Sequence, residues 1–296
     1  MYNGLNWNFG HIVDRRFNPL LITFLLFGLT SLAFAADKHA PSKEIAWSKL
    51  QGLGDIEYFQ LKNTKPNKTK HPYHIFVRLP DEYNQSEKVY YPTLYLLDGG
   101  TNFPLFAAYY SYLRAMEDVP ALIIVGISYG NNDWRKGNDR SHDFTVTTIE
   151  REFWGGAQIF EQFLSDRLMP SIQEKYRVDS HKQVLFGQSL GGQFALYTSM
   201  YGDAPFFAVI ASNPALHRNL DYFKQGMKKR DMRPKVYVSI AEFDDPTYKE
   251  PTLNWVEYWQ KQNVEWEYNF DNLKGHNHLS ASPVALRNGL KWIFNK

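Results

Sequence analysis

Six continuous apolar runs, separated by segments with helical patterns, limit the possible folds of this chain more than any other feature of its sequence. Runs without polar alternation are typical of strands that are covered on both faces. Their succession predicts an α/β fold with a mostly parallel central sheet and helices on both faces. Between residues 92 and 270, the runs are PTLYLLD, ALIIVGIS, QVLFG, FAVIAS, KVYVSIA and VEWEYNF.

Further elements flank or separate these runs. Ile56–Leu61 and His74–Pro80 have strand character, and the polar segment between them predicts a hairpin. An apolar stripe at helical spacing predicts a helix over residues 157–176, which Pro170 should kink or divide. A last helix is predicted near Val284–Phe294.

The first residues have the pattern of a secretion signal. Arg15 and Arg16 precede a mostly apolar run that ends in the small-x-small triplet Ala33–Ala35. The run is short for a membrane span and is interrupted by glycine and hydroxyl residues, which favours a cleaved leader over an anchor. We therefore predict a signal peptide over residues 1–35 and a single domain over residues 36–296. The mature protein should be periplasmic or secreted, with no membrane attachment.

Composition excludes several classes of function. The formal charge is only +2 and the basic residues form no block, so nothing indicates a nucleic-acid partner. The chain has no cysteine, which excludes thiol nucleophiles, disulfides and cysteine-ligated metals.

One serine lies in a nucleophile-elbow pattern. Gly187, Ser189 and Gly191 form G-x-S-x-G after the run QVLF and before a helix-forming segment. A sharp strand-to-helix turn needs small neighbours, because larger side chains would collide with adjacent backbone. The alternative is an ordinary N-cap serine. The position within an alternating strand and helix series favours the nucleophile.

An activated serine needs a histidine as base and a carboxylate as the acid of the triad. In this architecture the carboxylate follows the serine in the chain, and the histidine follows the carboxylate. Glu242, Asp244 and Asp245 follow a late strand, and His276 and His278 precede the final helix. Spacing alone leaves the choice within each group open. The two histidines have no third histidine nearby and no H-E-x-x-H spacing, so a metal site is not predicted.

Two backbone amides are expected to bind the oxyanion. The residue after the nucleophile, Leu190, should supply one of them, and the loop after the third strand should supply the other. Gly99 and Gly100 in that loop would let the backbone approach the substrate, so Gly100 is the second candidate. Asp98 comes before the serine in the chain and is interpreted as a residue that organises this loop.

Four motifs along the chain belong together: YPTLYLLDGGTNF, NDRSHDFT, LFGQSLGGQFALY and GHNHLSASPVALRNGLKWIF. Through them the sequence resembles the esterase family of the α/β-hydrolase superfamily that includes siderophore (enterobactin-type) esterases and relatives of S-formylglutathione hydrolase. The resemblance runs from about Tyr73 to the C-terminus. It implies an α/β-hydrolase fold and a serine esterase that needs no cofactor.

The resemblance also selects among the candidates. The family's histidine, followed by Ser and Pro, matches His278, and its carboxylate best matches Asp244. Two positions depart from the family pattern: Ala241 replaces a glycine before the acid, and Gln188 replaces a frequent histidine before the nucleophile.

The segment Ser128–Gly156 is the longest irregular stretch and a candidate lid or substrate wall. Within it, Arg140 is a candidate substrate-binding residue at the pocket rim. A structural ion pair between Arg140 and Asp143 is the alternative.

The sequence thus predicts a secreted or periplasmic serine ester hydrolase that acts through an acyl-enzyme on a small-molecule ester. Ser189, His278 and Asp244 would form its triad, and the amides of Leu190 and Gly100 its oxyanion hole. Candidate substrates are a siderophore trilactone, a feruloyl or acetyl ester and a simple short-chain ester. The alternatives are an acyltransferase of the same fold and a binding protein that has kept the fold without turnover.

Overall fold

The structure, a computed structural model, describes residues 51–62, 71–146, 154–230, 233–262 and 266–295. The predicted leader, residues 1–35, lies outside them. The described part contains eight strands and seven α-helices, and five more segments form short 3₁₀ or π-helical turns. The strands are β1 (Ile56–Leu61), β2 (Tyr73–Arg78), β3 (Tyr91–Leu96), β4 (Ile123–Ser128), β5 (Val178–Gln188), β6 (Ala208–Ser212), β7 (Lys235–Ala241) and β8 (Tyr268–Leu273).

From β3 onward, every connection between consecutive strands except that between β6 and β7 contains at least one α-helix. They are α1 (Gly99–Ala115), α2 (Arg140–Asp143), α3 (Ala157–Phe163), α4 (Met169–Lys175), α5 (Leu190–Met200), α6 (Pro246–Gln260) and α7 (Ala281–Phe294).

All eight strands form one sheet in the order β1-β2-β4-β3-β5-β6-β7-β8. β1 and β2 pair antiparallel, as the predicted hairpin requires, and β2 pairs antiparallel with β4. Every pair from β4 to β8 is parallel. The carboxyl ends of the parallel strands therefore share one edge of the sheet, which is where ligands bind in open α/β sheets.

Helices cover both faces of the sheet, which confirms the predicted class. Phe106 of α1 and Leu286 of α7 belong to the apolar core on one face. Phe160 of α3, Phe194 of α5 and Trp255 of α6 belong to the core on the other face. Because both faces are buried, the strands carry apolar side chains at consecutive positions, and this explains the continuous runs in the sequence.

Two predicted elements differ in detail from the structure. The helix predicted over residues 157–176 is divided, as expected, but by a π-helical turn at Leu164–Leu168, and Pro170 lies in the first turn of α4. The last strand, β8, begins within the run VEWEYNF and continues beyond it to Leu273, so Trp266 and Glu267 precede the strand.

No helix in the described parts of the chain combines the length and apolar character that crossing a membrane requires.

Candidate active site

Ser189 occupies the sharp turn between β5 and α5. Its backbone has φ 61° and ψ −117°, a conformation that non-glycine residues adopt only under strain. Its N–H donates to the carbonyl of Ser212 at 3.0 Å, which ties the turn to the end of β6. The turn therefore holds the Ser189 side chain at the carboxyl edge of the sheet, where it lines a cavity.

The glycines around Ser189 do not contribute equally. A Cβ on Gly187 would lie 2.0 Å from the carbonyl oxygen of Gly191, and one on Gly192 would lie 2.9 Å from the carbonyl oxygen of Ser212. A Cβ on Gly191 would meet nothing closer than 3.5 Å. The expectation that both glycines of G-x-S-x-G are needed for space is thus wrong for Gly191. The close approaches are at Gly187 and Gly192.

Asp244 and His278 form a close pair. Asp244 follows β7, His278 precedes α7, and Nδ1 of His278 lies 2.7 Å from Oδ2 of Asp244. The Asp244 side chain is only 3% exposed, whereas that of His278 is 26% exposed. Oδ1 of Asp244 accepts a hydrogen bond from the Asp245 N–H at 2.8 Å. The carboxylate is thereby fixed toward the ring, and Nε2 is left for a partner in the cavity.

The other candidates from the same two loops have local partners. Glu242 accepts a hydrogen bond from the Gly275 N–H at 2.8 Å. Asp245 caps α6 through the Thr247 N–H, also at 2.8 Å. The ring of His276 lies 3.3 Å from the Ser280 hydroxyl. The side chains of these three residues therefore form local contacts within their loops or at the start of a helix.

Ser189 and His278 line the same cavity, which has a volume of about 740 Å³. Arg140, Gln188 and Gly100 also line it. The remaining lining residues are Asp98, Thr101, Asn102, Leu105, Ser128, Tyr129, Asn131, Asn132, Asn138, Ser141, Leu279 and Ser282. No cluster of three or more metal-ligating side chains occurs among the described residues.

Both predicted oxyanion donors lie at the first turn of a helix. Leu190 opens α5, and Gly100 is the second residue of α1. The loop expected at Gly99 and Gly100 is therefore a helix start, which corrects the sequence interpretation. The first N–H groups of a helix have no acceptor within it and carry the positive end of its dipole. Such amides are suited to a developing negative charge.

Arg140 forms an ion pair with Asp98, and the predicted alternative of a pair with Asp143 is wrong. Nε and Nη2 of Arg140 donate to the two carboxylate oxygens of Asp98 at 2.6 and 2.9 Å. Nη2 also donates to the carbonyl of Gln188 at 3.3 Å. Burial opposes the charge on Arg140, but Asp98 outweighs this effect, and the pKa of the guanidinium is raised above its ordinary value. The Asp98 side chain thus links the start of α1 to α2, which agrees with its interpretation as a residue that organises this region.

Asp143 is buried behind this pair. Its Oδ2 accepts hydrogen bonds from the hydroxyls of Tyr73 at 2.7 Å and Tyr129 at 2.9 Å. Burial, and then the negative charge of Asp143, hold the pKa of Tyr129 well above its ordinary value. Asp143 therefore anchors α2, the helix that also carries Arg140.

Sequence reasoning missed one residue that touches the pair. Nδ2 of Asn213 donates to Oδ2 of Asp244 at 3.2 Å and to the carbonyl of His278 at 3.4 Å. The Gln188 amide also donates to that carbonyl. Asn213 has φ 43°, a left-handed conformation that asparagine tolerates better than most residues. An asparagine directly after the strand run FAVIAS was the available signal.

Comparison with solved structures identifies the class. An IroE-like serine hydrolase from Shewanella oneidensis matches with a TM-score of 0.68 and 23% identity, over 81% of this chain and 80% of that one. The siderophore hydrolase EstB from Aspergillus nidulans matches with a TM-score of 0.68 and 22% identity, over 80% and 94%. The chain has the α/β-hydrolase fold.

Sequence comparison identifies the family. The family model described as "Putative esterase" matches residues 66–291, so the chain belongs to this family and is a carboxylic ester hydrolase. Among curated proteins, the ferri-bacillibactin esterase BesA of Bacillus subtilis is 28% identical over 249 residues, which cover 75% of this chain and 85% of that protein.

Proposed function

We propose that this chain hydrolyses ester bonds of a siderophore through an acyl-enzyme on Ser189, with His278 as base and Asp244 as the acid of the triad. The observation that carries the proposal is the 2.7 Å contact between His278 and Asp244 at a cavity that Ser189 also lines. The substrate class is taken from the relatives, whose names include a ferri-bacillibactin esterase and a siderophore hydrolase.

In the proposed reaction, Nε2 of His278 takes the hydroxyl proton as Oγ of Ser189 attacks the ester carbonyl. The amides of Leu190 and Gly100 donate to the oxyanion of the tetrahedral intermediate. The intermediate collapses, the C–O bond to the alcohol breaks, and His278 protonates the leaving oxygen. Water then attacks the acyl-enzyme with His278 again as base, which releases the carboxylic acid and restores Ser189.

A substrate screen with mass detection tests this proposal. The purified protein would be offered a catecholate siderophore trilactone, a feruloyl ester, an acetylated polysaccharide and short-chain aryl esters. We expect the trilactone to be opened with the highest kcat/KM, each cleavage adding one water to the products. Transfer of the acyl group to an added alcohol in preference to water would indicate an acyltransferase.

A serine-directed phosphonate tests the nucleophile in the same preparation. We expect one adduct, on the peptide that contains Ser189, and a loss of turnover on the order of 10⁶-fold in Ser189→Ala. Ser282→Ala is the matched control, since Ser282 lines the same cavity but lies on α7. An adduct on any other residue would contradict the assignment.

We also propose export with cleavage of residues 1–35, so that residues 36–296 form the single mature domain. The support is the Arg15–Arg16 pair, the apolar run and the Ala33–Ala35 triplet in the sequence. The intact mass of protein from the native host tests it. A mature chain should begin near Ala36, and a full-length species would refute the proposal.

A further inference from the structure

One aromatic ring packs beside the imidazole of His278. The ring centroids of Tyr248 and His278 are 5.4 Å apart, with an interplanar angle of 41°. Tyr248 is half-buried, belongs to the first turn of α6 and is not among the residues that line the cavity with Ser189. Its ring therefore lies against the base of the proposed triad without forming part of the cavity wall.

The start of α6 carries this ring and also holds the acid of the proposed triad. The Asp245 N–H donates to Oδ1 of Asp244 at 2.8 Å, and the Asp245 side chain caps the helix through the Thr247 N–H. The Tyr248 N–H donates to the carbonyl of Asp245 at 2.9 Å. One hydrogen-bonded turn thus fixes Asp244 and Tyr248 relative to each other, and both side chains reach His278.

A second imidazole packs against Tyr248 from another loop. His217 follows β6, and its ring centroid lies 4.9 Å from that of Tyr248, with an interplanar angle of 89°. Near-perpendicular aromatic pairs at such distances are favourable. Nε2 of His217 accepts a hydrogen bond from Nε of Arg218 at 2.9 Å, and burial lowers the pKa of His217. His217 is therefore neutral, and its ring restricts the Tyr248 ring on one side.

The hydrogen bonds of His278 leave one motion of its ring unrestrained. Its backbone carbonyl accepts from Asn213 and Gln188, and Nδ1 of the ring lies 2.7 Å from Oδ2 of Asp244. One hydrogen bond fixes the position of Nδ1, but the ring can still swing about the line that joins the two atoms, because the last torsion of a histidine is soft. Such a swing would carry Nε2 out of hydrogen-bond reach of the Ser189 hydroxyl.

We propose that Tyr248 is a positioning residue for His278, and that its ring fixes the plane of the imidazole. The inference rests on the proposed function, because it concerns the base of that triad. Asp244 holds Nδ1, Tyr248 limits the swing of the ring, and Nε2 then stays within reach of Ser189. The aromatic ring supplies this contact, and the phenol oxygen has no part in it. His217 keeps the Tyr248 ring from turning away.

Steady-state kinetics of Tyr248→Leu on a short-chain aryl ester test the proposal. Leucine keeps an apolar side chain on α6 but has no flat ring. We expect kcat to fall about tenfold while KM stays within about twofold, because the reacting groups lose alignment and the cavity wall is unchanged. Tyr248→Phe keeps the ring and should stay within about twofold of the wild type.

Tyr258→Leu is the matched control. Tyr258 is also a half-buried tyrosine of α6, but its ring packs against Trp259 near the end of the helix. This variant should keep the kcat of the wild type. A rise in KM at constant kcat in Tyr248→Leu, or a lower Tm with unchanged kinetics, would overturn the proposal. An equal loss of kcat in Tyr248→Phe would also overturn it, since the phenol oxygen would then be responsible.

A cycle of variants tests the contribution of His217. His217→Ala should lower kcat about threefold in the wild type and should have no further effect in Tyr248→Leu, because it acts through that ring. The same factor in both backgrounds would contradict this part of the proposal.

The rate at which a serine-directed phosphonate labels Ser189 gives a readout that needs no ester turnover. We expect labelling to slow strongly in His278→Gln and about tenfold in Tyr248→Leu. Equal rates in the wild type and His278→Gln would refute the proposed triad itself. Slow labelling in His278→Gln together with the wild-type rate in Tyr248→Leu would refute only the role of Tyr248.

Discussion

His278 and Asp244 lie 34 residues apart in the chain, yet Nδ1 of the imidazole and Oδ2 of the carboxylate are 2.7 Å apart. The parallel order of β7 and β8 brings the two loops together, because both leave the same edge of the sheet. The contact distinguishes Asp244 from Glu242 and Asp245, whose carboxylates bond to backbone amides instead.

Asp244→Asn is expected to lower kcat on the order of 10⁴-fold, because an amide can neither stabilise the imidazolium nor hold the productive tautomer. Glu242→Gln and Asp245→Asn are the matched controls and should stay within about tenfold of the wild type, since both amides still accept the existing hydrogen bonds. Steady-state kinetics on a short-chain ester measure all three. If Asp244→Asn kept its kcat while one of the controls lost it, the residue changed in that control would be the acid of the triad.

Asn213→Gly should lower kcat about tenfold with little change in KM, because the donor to Asp244 and to the His278 carbonyl is lost. Glycine is the suitable replacement because it adopts the φ of 43° without strain. Thermal unfolding gives a second readout. A lower Tm with an unchanged kcat would indicate a purely structural role.

Arg140→Gln should destabilise the protein by about 2 kcal/mol, since it leaves the partly buried Asp98 carboxylate without its bidentate partner. A double-mutant cycle with Asp98→Asn, measured by urea unfolding, should return a coupling of about 1–2 kcal/mol. Arg135→Gln is the control, because Arg135 is mostly exposed and its pair with Asp133 should contribute less than about 1 kcal/mol. Equal losses in the two arginine variants would contradict this interpretation.

Gly187→Ala and Gly191→Ala should differ sharply although both alter the same motif. The Cβ at position 187 would overlap the Gly191 carbonyl at 2.0 Å, so the elbow must distort or the protein must lose about 3 kcal/mol or more. The Cβ at position 191 would stand in ordinary contact, and that variant should stay within about 1 kcal/mol of the wild type. Thermal unfolding and esterase activity of both variants, side by side, check the prediction.

The buried carboxyl group of Glu161 should make the free energy of unfolding depend on pH. Burial raises its pKa above the ordinary value, although the N–H groups of Ala204 and Asp203 donate to it and oppose the rise. A raised folded-state pKa means that the folded protein holds this proton more tightly than the unfolded chain. This tighter proton binding therefore stabilises the folded protein fully below the pKa that Glu161 has in the unfolded chain. The stabilisation is lost as pH rises through the pKa that Glu161 has in the folded protein.

Glu161→Gln should remove that decline, because glutamine keeps the acceptor oxygen and cannot ionise. The free energy of unfolding of the variant relative to the wild type should thus increase between about pH 4 and pH 7. Urea unfolding at several pH values measures this difference. A difference that stays constant over the range, or shrinks, would contradict the assigned shift.

The sequence by itself determined the fold class and the strand–turn–helix at Ser189. Successive side chains of a strand point to opposite faces of the sheet, so a solvent-exposed face would place a polar residue at every second position. A continuous apolar run therefore indicates that both faces are buried. Gly187, two residues before the nucleophile, likewise indicates a close backbone approach. The motif did not reveal, however, that Gly187 and Gly192 meet that need while Gly191 has room for a Cβ.

Only the tertiary structure decided which side chains meet. Arg140 pairs with Asp98, which lies 42 residues away, and not with the nearby Asp143. Asn213 reaches Asp244 from the end of another strand, and Tyr248 of α6 packs beside His278. Such contacts depend on strand order and register, which join residues that are distant in the chain. The local pattern of polar and apolar residues contains no information about those distant partners. It therefore predicts the strands and helices but not which side chains meet in the site.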